Sequence, residues 1–361
     1  MEHDNRPFSL IDGATGETLQ VIREVNEKKK ISENPELPLE DRLEAYEDIF
    51  DSEVGDTSLV RARNIEREKG LRQIYLKFEG GNPTGTQKDR IAFAQAMDAL
   101  RRGFETMTVA TCGNYGVAVA LAASFAGLRC QVYIPQKYHT NRVKEMTSLG
   151  ADIVRVPGDY EDAVYVSGED ARKNEFYDAN PGASNTLTQL RAYGQIAYEI
   201  YDELRDAPLA FAAPVSNGTT LSGIYRGFLS IYRRGKTSRM PRVVAGSSFR
   251  KNPIVHAYLN NSASCEDLNP GKIRKTSINE PLINWHSIDG NYALEAIRQT
   301  SGWAADASDR AMRTYARLIR EKEGLQVLPA STAGLIALMD KHAKEPLPGD
   351  RYVVVLTGRK S

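Results

Sequence analysis

The sequence predicts an α/β fold, on the basis of two features. Apolar, strand-like segments alternate with helical segments between 106 and 156, and the alternation returns from 198 to 247 and from 310 to 358. Small and polar loops follow several of the strand-like segments, as in open α/β sheets, whose ligands bind at strand ends. The length of 361 residues favours two domains.

The first group of elements implies a parallel sheet, because alternating strands and helices are joined by right-handed crossovers. Gly127 and Gly150 end its two helices, which is a common position for glycine. The predicted elements are strands at 106–111, 130–135 and 151–156 and helices at 115–126 and 141–150.

The second half of the chain repeats this pattern. The predicted elements are strands at 209–215, 242–247 and 352–358, a helix ending at 204, a helix after the loop 216–223, and helices around 310–321 and 332–342. The first fifty residues differ, since they are polar and helix-prone, with prolines as breaks. We interpret them as an N-terminal arm or covering helices.

Composition and charge exclude several classes of protein. Lys plus Arg and Asp plus Glu number 47 each, so net charge gives no reason to bind nucleic acid or an anionic membrane. No apolar run approaches the ~18 residues of a membrane helix, and the start MEHDNRPFSL lacks the features of a secretory signal. The cysteines are odd in number and the histidines form no HxxxH or HxH pair. We therefore expect a cytoplasmic protein with neither disulfides nor a metal site.

The stretch KFEGGNPTGTQKDRIA (77–92) places a lysine behind a glycine-rich loop. A nucleotide-binding P-loop has lysine directly after its second glycine, and here Thr86 and Gln87 separate Gly85 from Lys88. Apolar residues at helical spacing then put Lys88 at the start of an amphipathic helix. A helix N-terminus disfavours positive charge. Lys88 is therefore either a solvated lysine or a nucleophile that carries a cofactor.

Three further loops follow predicted strands. SNGTT (216–220) presents backbone N–H groups at a helix start, where they could hold a phosphate. TCGNYG (111–116) has the same arrangement and brings Asn114 within reach of a ligand hydroxyl, and Thr357 follows the last strand. Each loop alone also fits an ordinary turn or strand end.

Together, the four features match the parts of a pyridoxal-phosphate site. Such a site needs an amine for the aldehyde, N–H groups for the 5′-phosphate, a side chain for the 3′-oxygen and a hydroxyl for the pyridine nitrogen. The combination predicts pyridoxal 5′-phosphate as cofactor.

Motifs from about Asp56 to Thr357 resemble those of the fold-type II pyridoxal-phosphate enzymes, and most of all the threonine synthase family. NPTGTQKDR is similar to the family's NPTGSFKDR, TCGNYG stands at its STGNT, and PVSNGTTLSGIYRGF at its PxGNGGNxxGxxxGF. Further counterparts are DTSLVRARN, NTLTQLRAYGQIAYEI, LPASTAG and VLTGRKS.

The resemblance implies two domains, each with a largely parallel twisted sheet flanked by helices, and an active site in the interdomain cleft. It places the N-terminal arm at 1–50, a large cofactor-binding domain at 51–93 and 186–361, and a small domain at 94–185. It also implies a homodimer.

Carried over residue by residue, the resemblance makes Lys88 the Schiff-base lysine and proton shuttle. Asn114 would bond the cofactor's 3′-oxygen, and Thr357 would meet the pyridine nitrogen. The residues that would hold the phosphate are Ser216, Asn217, Gly218, Thr219 and Thr220. Those for the substrate carboxylate are Thr111, Cys112, Gly113 and Tyr115. Those for the distal, phosphate-bearing end are Asn185, Thr186 and Arg191, the last because a guanidinium fork suits phosphate oxygens.

Departures from the family pattern fall near the substrate. Tyr115 replaces a threonine that in the family lies against the substrate, and Thr188 and Gln189 replace Asn-Pro. Thr219 and Thr220 replace Gly-Asn in the phosphate loop. None of these changes touches the lysine, so we expect catalysis to be retained and specificity to differ.

Three functions follow as hypotheses. The first is a threonine synthase-like lyase that converts O-phosphohomoserine to threonine and phosphate. The second is a paralogue that carries out β-replacement or β-elimination on O-phosphoserine, serine or threonine, which Tyr115 favours. The third is a non-catalytic protein that binds an amino acid, which the altered phosphate loop favours. All three have a small amino acid as partner, and none involves nucleic acid or a membrane.

Overall fold

The computed structural model describes residues 16–111, 113–138, 142–182 and 184–360. The chain forms two compact units. The first unit contains 16–55, Asn82–Thr84 and Lys88–Thr188, and the second contains Asp56–Gly81, Gly85–Gln87 and the chain from Gln189 onward. The domain bounds predicted from the sequence remain a proposal.

The described chain alternates between helices and strands along most of its length. The strands are β1 (Leu59–Arg61), β2 (Ile74–Phe78), β3 (Thr106–Ala110), β4 (Arg129–Pro135), β5 (Asp152–Val156), β6 (Tyr177–Asp178), β7 (Ala210–Pro214), β8 (Arg242–Ser248), β9 (Trp303–Ala307) and β10 (Tyr352–Leu356). The helices are α1 (Gly16–Ser32), α2 (Leu39–Glu53), α3 (Arg63–Lys69), α4 (Lys88–Arg101), α5 (Asn114–Ala126), α6 (Arg142–Ser148), α7 (Tyr160–Lys173), α8 (Thr186–Leu204), α9 (Thr219–Arg233), α10 (Pro253–Leu259), α11 (Gly290–Gln299), α12 (Asp309–Glu323) and α13 (Ala333–Lys344).

The first unit contains a four-stranded sheet in the order β5-β4-β3-β6, and all its pairs are parallel. Every residue of β3 is buried, as expected for a parallel strand covered on both faces. α5 begins directly after the loop that follows β3 and consists almost entirely of buried small and apolar residues. Thr111 therefore lies at the carboxyl end of a central strand, where open α/β sheets bind ligands.

The second unit contains a six-stranded sheet in the order β1-β2-β10-β7-β8-β9. β1 pairs antiparallel with β2, and the other pairs are parallel. α13 packs so closely on this sheet that a Cβ added at Gly246 would lie 1.9 Å from the carbonyl oxygen of Ala333. These two sheets confirm the predicted α/β class.

α1 and α2 belong to the first unit and cover α5. The hydroxyl of Ser32 donates to the carbonyl of Phe125 at 2.6 Å, and the guanidinium of Arg42 donates to the carbonyl of Ala126 at 3.1 Å. These carbonyls belong to the last turn of α5, which has no partners for them within the helix. The N-terminal segment thus completes the hydrogen bonding of a helix whose other end begins at Asn114.

Most predicted elements match an observed one to within a few residues, and several observed elements are not predicted. α7 lies between β5 and β6 without a prediction, and β2 and β9 are also unpredicted. Residue 141, the first residue of the predicted helix 141–150, lies outside the described residues. No helix among the described residues is long and apolar enough to cross a membrane.

Candidate active site

Lys88 is the first residue of α4 and is half-buried. The next two residues, Asp89 and Arg90, are 0% and 2% exposed. The Asp89 carboxylate accepts hydrogen bonds from the Thr84 backbone N–H at 2.9 Å and from the Thr84 hydroxyl at 2.7 Å. Because both charged neighbours of Lys88 are buried, this helix start differs from the solvent-exposed one that the sequence allowed as an alternative.

The residue that precedes Lys88 is held to the end of β10. The Gln87 N–H donates to the carbonyl of Thr357 at 3.0 Å, and the Arg359 N–H donates to the carbonyl of Gly85 at 2.9 Å. Gly85 has φ +85°, a left-handed conformation that glycine adopts without strain. The turn at 85–87 is therefore bonded to the strand-end loop at 357–359 within the second unit.

Tyr115 faces Lys88 within the first unit. The Lys88 Nζ lies 5.4 Å from the centroid of the Tyr115 ring, which is within cation–π distance. The ring is buried, and its hydroxyl donates to the Ala179 carbonyl and accepts from the Gln95 amide, both at 2.6 Å. The aromatic face, not the hydroxyl, is thus the part of Tyr115 next to the lysine.

Thr111 and Gly113, also predicted near the substrate carboxylate, precede α5, and Asn114 begins it. Thr111 is buried, and its hydroxyl oxygen is 3.4 Å from the Gly113 N–H that donates to it. Asn114 is half-buried, and among the described residues its side chain has no hydrogen-bond partner, so its amide is available to a ligand. Cys112 lies outside the described residues.

Asn185, predicted near the distal end of the substrate, has hydrogen-bond partners within the protein. Its amide nitrogen donates to the Gln95 carbonyl oxygen at 2.9 Å and to the Asp178 backbone carbonyl. An amide has two N–H donors, so both are used. Thr186 begins α8 in the first unit, whereas Arg191 is exposed on α8 in the second unit and has no ion-pair partner among the described residues.

The predicted phosphate loop at 216–220 leads from β7 into α9, within the second unit. Its backbone carbonyls accept hydrogen bonds from residues outside the loop. The Ser216 carbonyl accepts from Asn252 at 2.9 Å and from Ser287 at 3.0 Å, and the Asn217 carbonyl accepts from the Asp289 N–H at 3.0 Å. The Asn217 side chain also accepts from Asn284.

Gly218 lies at the N-cap of α9, with φ +96°. A Cβ there would come within 2.6 Å of the Asp289 carbonyl oxygen, so the position requires glycine. Because glycine has no side chain to cap the helix, the N–H groups of the first turn have no partner from this position. Such N–H groups, at the positive end of a helix dipole, are suited to a phosphate.

Thr219 and Asp289 form a buried pair beneath this loop. The Thr219 hydroxyl donates to the Asp289 carboxylate at 2.5 Å, and Asp289 is 3% exposed. Burial raises the pKa of this carboxyl, and the hydrogen bond from Thr219 partly opposes the shift. Since a hydroxyl has one proton, Thr219 has only its backbone N–H left to offer a phosphate.

Thr357 follows β10 and is half-buried. Its hydroxyl oxygen is 3.2 Å from that of Ser331, and the Ser331 hydroxyl accepts from the Gly358 N–H at 3.1 Å. The two hydroxyls together provide a neutral donor and acceptor pair, which suits a ring nitrogen.

The predicted residues thus supply each group that pyridoxal phosphate requires. The first unit contains a half-buried amine at Lys88 and the amide of Asn114, which has no hydrogen-bond partner among the described residues. The second unit contains the uncapped start of α9, where only glycine fits, and the Thr357 hydroxyl. We conclude that the residues present fit this cofactor.

Three residues near these groups have no counterpart in the sequence predictions: Gln95, Asp289 and Ser331. Gln95 could have been noticed, because a residue seven positions after Lys88 lies on the same face of the helix. Ser331 lies in the motif LPASTAG, which contributes to the family resemblance but has no predicted functional role. Asp289 has no local signal, since its partner Thr219 is 70 residues away in the sequence.

Comparison with known proteins gives the same cofactor. Residues 50–358 match the family described as "Pyridoxal-phosphate dependent enzyme". Among solved structures, maize serine racemase has a TM-score of 0.71 at 17% identity and covers 94% of this chain and 95% of its own. A threonine deaminase from Solanum lycopersicum has a TM-score of 0.72 at 14% identity, covering 98% of this chain and 92% of its own. At such low identities these two likenesses show the fold alone.

The chain belongs to this family of pyridoxal-phosphate-dependent enzymes and has the fold of type II, which confirms the predicted class and cofactor. Its membership of an enzyme family argues against the non-catalytic alternative.

Within the family, the chain is related to threonine synthases. It is 31% identical to that of Mycobacterium tuberculosis over 79% of this chain and 75% of the relative. It is 28% identical to that of Methanocaldococcus jannaschii over 84% of this chain and 74% of the relative.

Proposed function

We propose that this enzyme eliminates or replaces a leaving group on the side chain of a small amino acid, and that O-phosphohomoserine is its first candidate substrate. The observation that carries the proposal is the half-buried Lys88, placed beside an aromatic wall at the start of α4. The relatedness to threonine synthases supports the choice of substrate.

Each part of the site has a role in this reaction. When bound, the cofactor supplies a sink for the electron pair left at the substrate's Cα. Lys88 would hold the cofactor through its amine and move a proton at Cα. Asn114 would donate to the cofactor's 3′-oxygen, and the N–H groups at the start of α9 would hold its phosphate. The hydroxyl of Thr357 would meet the pyridine nitrogen.

The substrate would be held by the same strand-end loops. The Thr111 hydroxyl and the N–H groups at the start of α5 would bind its carboxylate. Arg191, exposed and without an ion-pair partner among the described residues, would take a distal phosphate. With O-phosphohomoserine, phosphate leaves from Cγ and water adds at Cβ, which gives threonine.

The experiment is to incubate the purified, cofactor-loaded protein with O-phosphohomoserine and to measure phosphate and threonine together. Equal amounts of both products, lost in Lys88→Ala, are expected. If the loaded protein releases neither product, O-phosphohomoserine is not the substrate.

A second candidate is β-elimination or β-replacement on O-phosphoserine, serine or threonine. Tyr115 favours it, because a fixed aromatic ring beside Lys88 leaves less room than the small hydroxyl side chain of the family pattern. A substrate panel distinguishes the two candidates. Turnover of O-phosphoserine with release of pyruvate, and none of O-phosphohomoserine, would establish β-chemistry.

A further inference from the structure

A chain of buried hydrogen bonds connects three segments of the first unit at Tyr115. The Tyr115 hydroxyl accepts from Gln95 on α4 at 2.6 Å and donates to the Ala179 carbonyl at 2.6 Å. The Gln95 side-chain oxygen in turn accepts from Asn185 at 2.9 Å. We call Gln95, Tyr115 and Asn185 the tyrosine clamp.

Every side-chain N–H of the clamp has an acceptor. The Gln95 amide nitrogen donates to Tyr115 and to the Ile91 carbonyl at 3.0 Å. The Asn185 amide nitrogen donates to Gln95 and to the Asp178 carbonyl. The three side chains are 0%, 6% and 4% exposed in chain order. Buried polar networks that are fully satisfied hold side chains in one arrangement, because breaking any bond leaves an unpaired polar group.

The clamp determines what lies next to Lys88. With its hydroxyl anchored on both sides, the Tyr115 ring cannot swing away, and its face stays 5.4 Å from the Lys88 Nζ. A lysine that moves a proton at Cα must come close to that carbon. A ring fixed 5.4 Å from the Lys88 Nζ then limits the room for the groups on Cα, of which Cβ is the first.

We propose that Gln95 and Asn185 are positioning residues that hold the Tyr115 ring as a fixed wall beside Lys88, and that this wall makes the site discriminate against β-branched amino acids. The proposal rests on the proposed function only in that an amino acid binds at Lys88. It is compatible with threonine synthesis, since a site that holds threonine weakly also releases it as a product. It is compatible with β-chemistry on O-phosphoserine or serine, which have no branch at Cβ, and it argues against threonine as a substrate.

The test uses two amino acids that differ by one methyl group on Cβ and carry no leaving group, L-2-aminobutyrate and L-valine. Their dissociation constants are measured from the change in the absorption of the bound cofactor on titration of the loaded protein. For the wild type, we expect valine to bind at least about tenfold more weakly, since one methylene in a tight pocket is worth about 10–200-fold.

Two variants loosen the clamp while retaining the size of the side chain. Gln95→Met removes the donor to Tyr115, and Tyr115→Phe removes the hydroxyl and keeps the ring. In both, we expect the valine-to-aminobutyrate ratio of dissociation constants to fall by about tenfold. Tyr133→Phe is the matched control, because the Tyr133 hydroxyl is also hydrogen-bonded in the first unit but to Gln131 and Asp170, neither of which belongs to α4 or α5. Its ratio should equal that of the wild type.

Hydrogen–deuterium exchange of the amides at 178–180 gives a second readout that needs no amino acid. They include the amide of Asp178, whose carbonyl accepts from Asn185. They also include the amide of Ala179, which donates to the Thr108 carbonyl at 2.9 Å. Exchange should be several-fold faster in Gln95→Met than in Tyr133→Phe.

The outcomes separate the two proposals. If the valine-to-aminobutyrate ratio of dissociation constants is unchanged in both clamp variants, the proposal that Tyr115 forms a fixed wall is refuted, whatever the enzyme's reaction is. If no amino acid changes the cofactor's absorption in the wild type, the proposed function fails and the wall fails with it. In that case the exchange measurement still decides whether Gln95 positions Tyr115, and equal exchange in Gln95→Met and Tyr133→Phe would refute it.

Discussion

At the scale of single residues, the surroundings of Lys88 explain its position at a helix start. Asp89 is buried with two hydrogen bonds from Thr84, so the first turn of α4 is fixed by its neighbours and not by Lys88 itself. The Lys88 Nζ lies over the Tyr115 ring, 5.4 Å from its centroid. A nucleophile that moves protons needs a fixed position near the reacting atoms.

Lys88→Ala tests the assigned role directly. We expect the absorption band of the lysine-bound cofactor to be absent and turnover to fall by about 100-fold or more, the range attributed to a general base. Lys144→Ala is the control, because Lys144 is an exposed residue of α6 in the same unit. An unaltered band in Lys88→Ala would show that another lysine carries the cofactor.

Asp289 makes stability depend on pH. Because burial raises the pKa of this carboxyl in the folded protein, the stability it contributes is present below the ordinary pKa of an aspartate and is lost as pH rises through the raised value. In Asp289→Asn, the amide oxygen can still accept from Thr219 and nothing titrates.

We therefore expect the free energy of unfolding of the wild type to fall relative to Asp289→Asn as pH rises from the ordinary pKa of an aspartate through the raised value. The expected fall is about 1.4 kcal/mol for each unit of the pKa rise. Urea unfolding of both proteins without cofactor, over that range of pH, measures the difference. A difference that does not change with pH would mean that the carboxyl titrates normally.

At the scale of elements, the phosphate loop depends on backbone conformation. Gly218→Ala introduces a Cβ at φ +96° and within 2.6 Å of a backbone oxygen, so the start of α9 has to shift. We expect a loss of about 1–3 kcal/mol in stability and a cofactor dissociation constant at least several-fold higher.

Gly235→Ala is the matched control for this loop. Gly235 also has positive φ, +66°, but a Cβ there has no atom within 4 Å. It should lose about 1 kcal/mol of stability from the strained backbone and bind the cofactor as the wild type does. If both variants bind the cofactor equally well, the start of α9 is not the phosphate site.

The covering helices make a separate contribution, to stability. Arg42→Ala removes the donors to the carbonyls of Ser32 and Ala126, so we expect a loss of about 1–2 kcal/mol, with the cofactor's absorption unchanged. Arg23→Ala, at an exposed position of α1, should cost less than about 0.5 kcal/mol. Equal losses in chemical unfolding would mean that the bonds from Arg42 contribute nothing.

How much of the site can be predicted from sequence depends on how local its signals are. The lysine loop and the phosphate loop are readable because glycine, proline and small polar residues mark turns at fixed spacing. The partners of Tyr115 are not, since Gln95 lies 20 residues away and Ala179 lies 64 residues away. The bonds from Asn185 to Gln95 and Asp178 are likewise not readable from the sequence, where the family resemblance implies only that Asn185 faces the substrate.

The same limit applies to the elements. Strands β3, β4 and β10 are predictable because each is a short apolar run bounded by turns, as buried parallel strands are. α7 is not, because its only buried residues are Ala163, Ser167 and Ala171, which are small and give a weak apolar pattern. Its start is nevertheless marked by a capping box in which Asp159 accepts from the N–H groups of Glu161 and Asp162. This signal is local, but Asp162 takes the place of the usual Glu or Gln of a capping box.

At the scale of the whole molecule, cofactor binding couples to the stability of the chain. A ligand that binds only the folded protein raises the free energy of unfolding by about 2.7 kcal/mol at a concentration 100 times its dissociation constant. The proposed site has two independent attachments, the amine of Lys88 and the phosphate loop. Pyridoxal, which lacks the phosphate, uses the first attachment alone.

We expect pyridoxal phosphate to raise the Tm of the wild type by several degrees, since about 1 kcal/mol shifts the Tm of a large domain by roughly 2–4 °C. Pyridoxal should raise it much less. In Gly218→Ala the two compounds should become nearly equivalent, because the phosphate loop no longer contributes, whereas in Lys88→Ala only the phosphate compound should retain an effect. Equal shifts from both compounds in the wild type would contradict a phosphate-binding role for residues 216–220, and a full shift by pyridoxal in Lys88→Ala would contradict the role of the lysine.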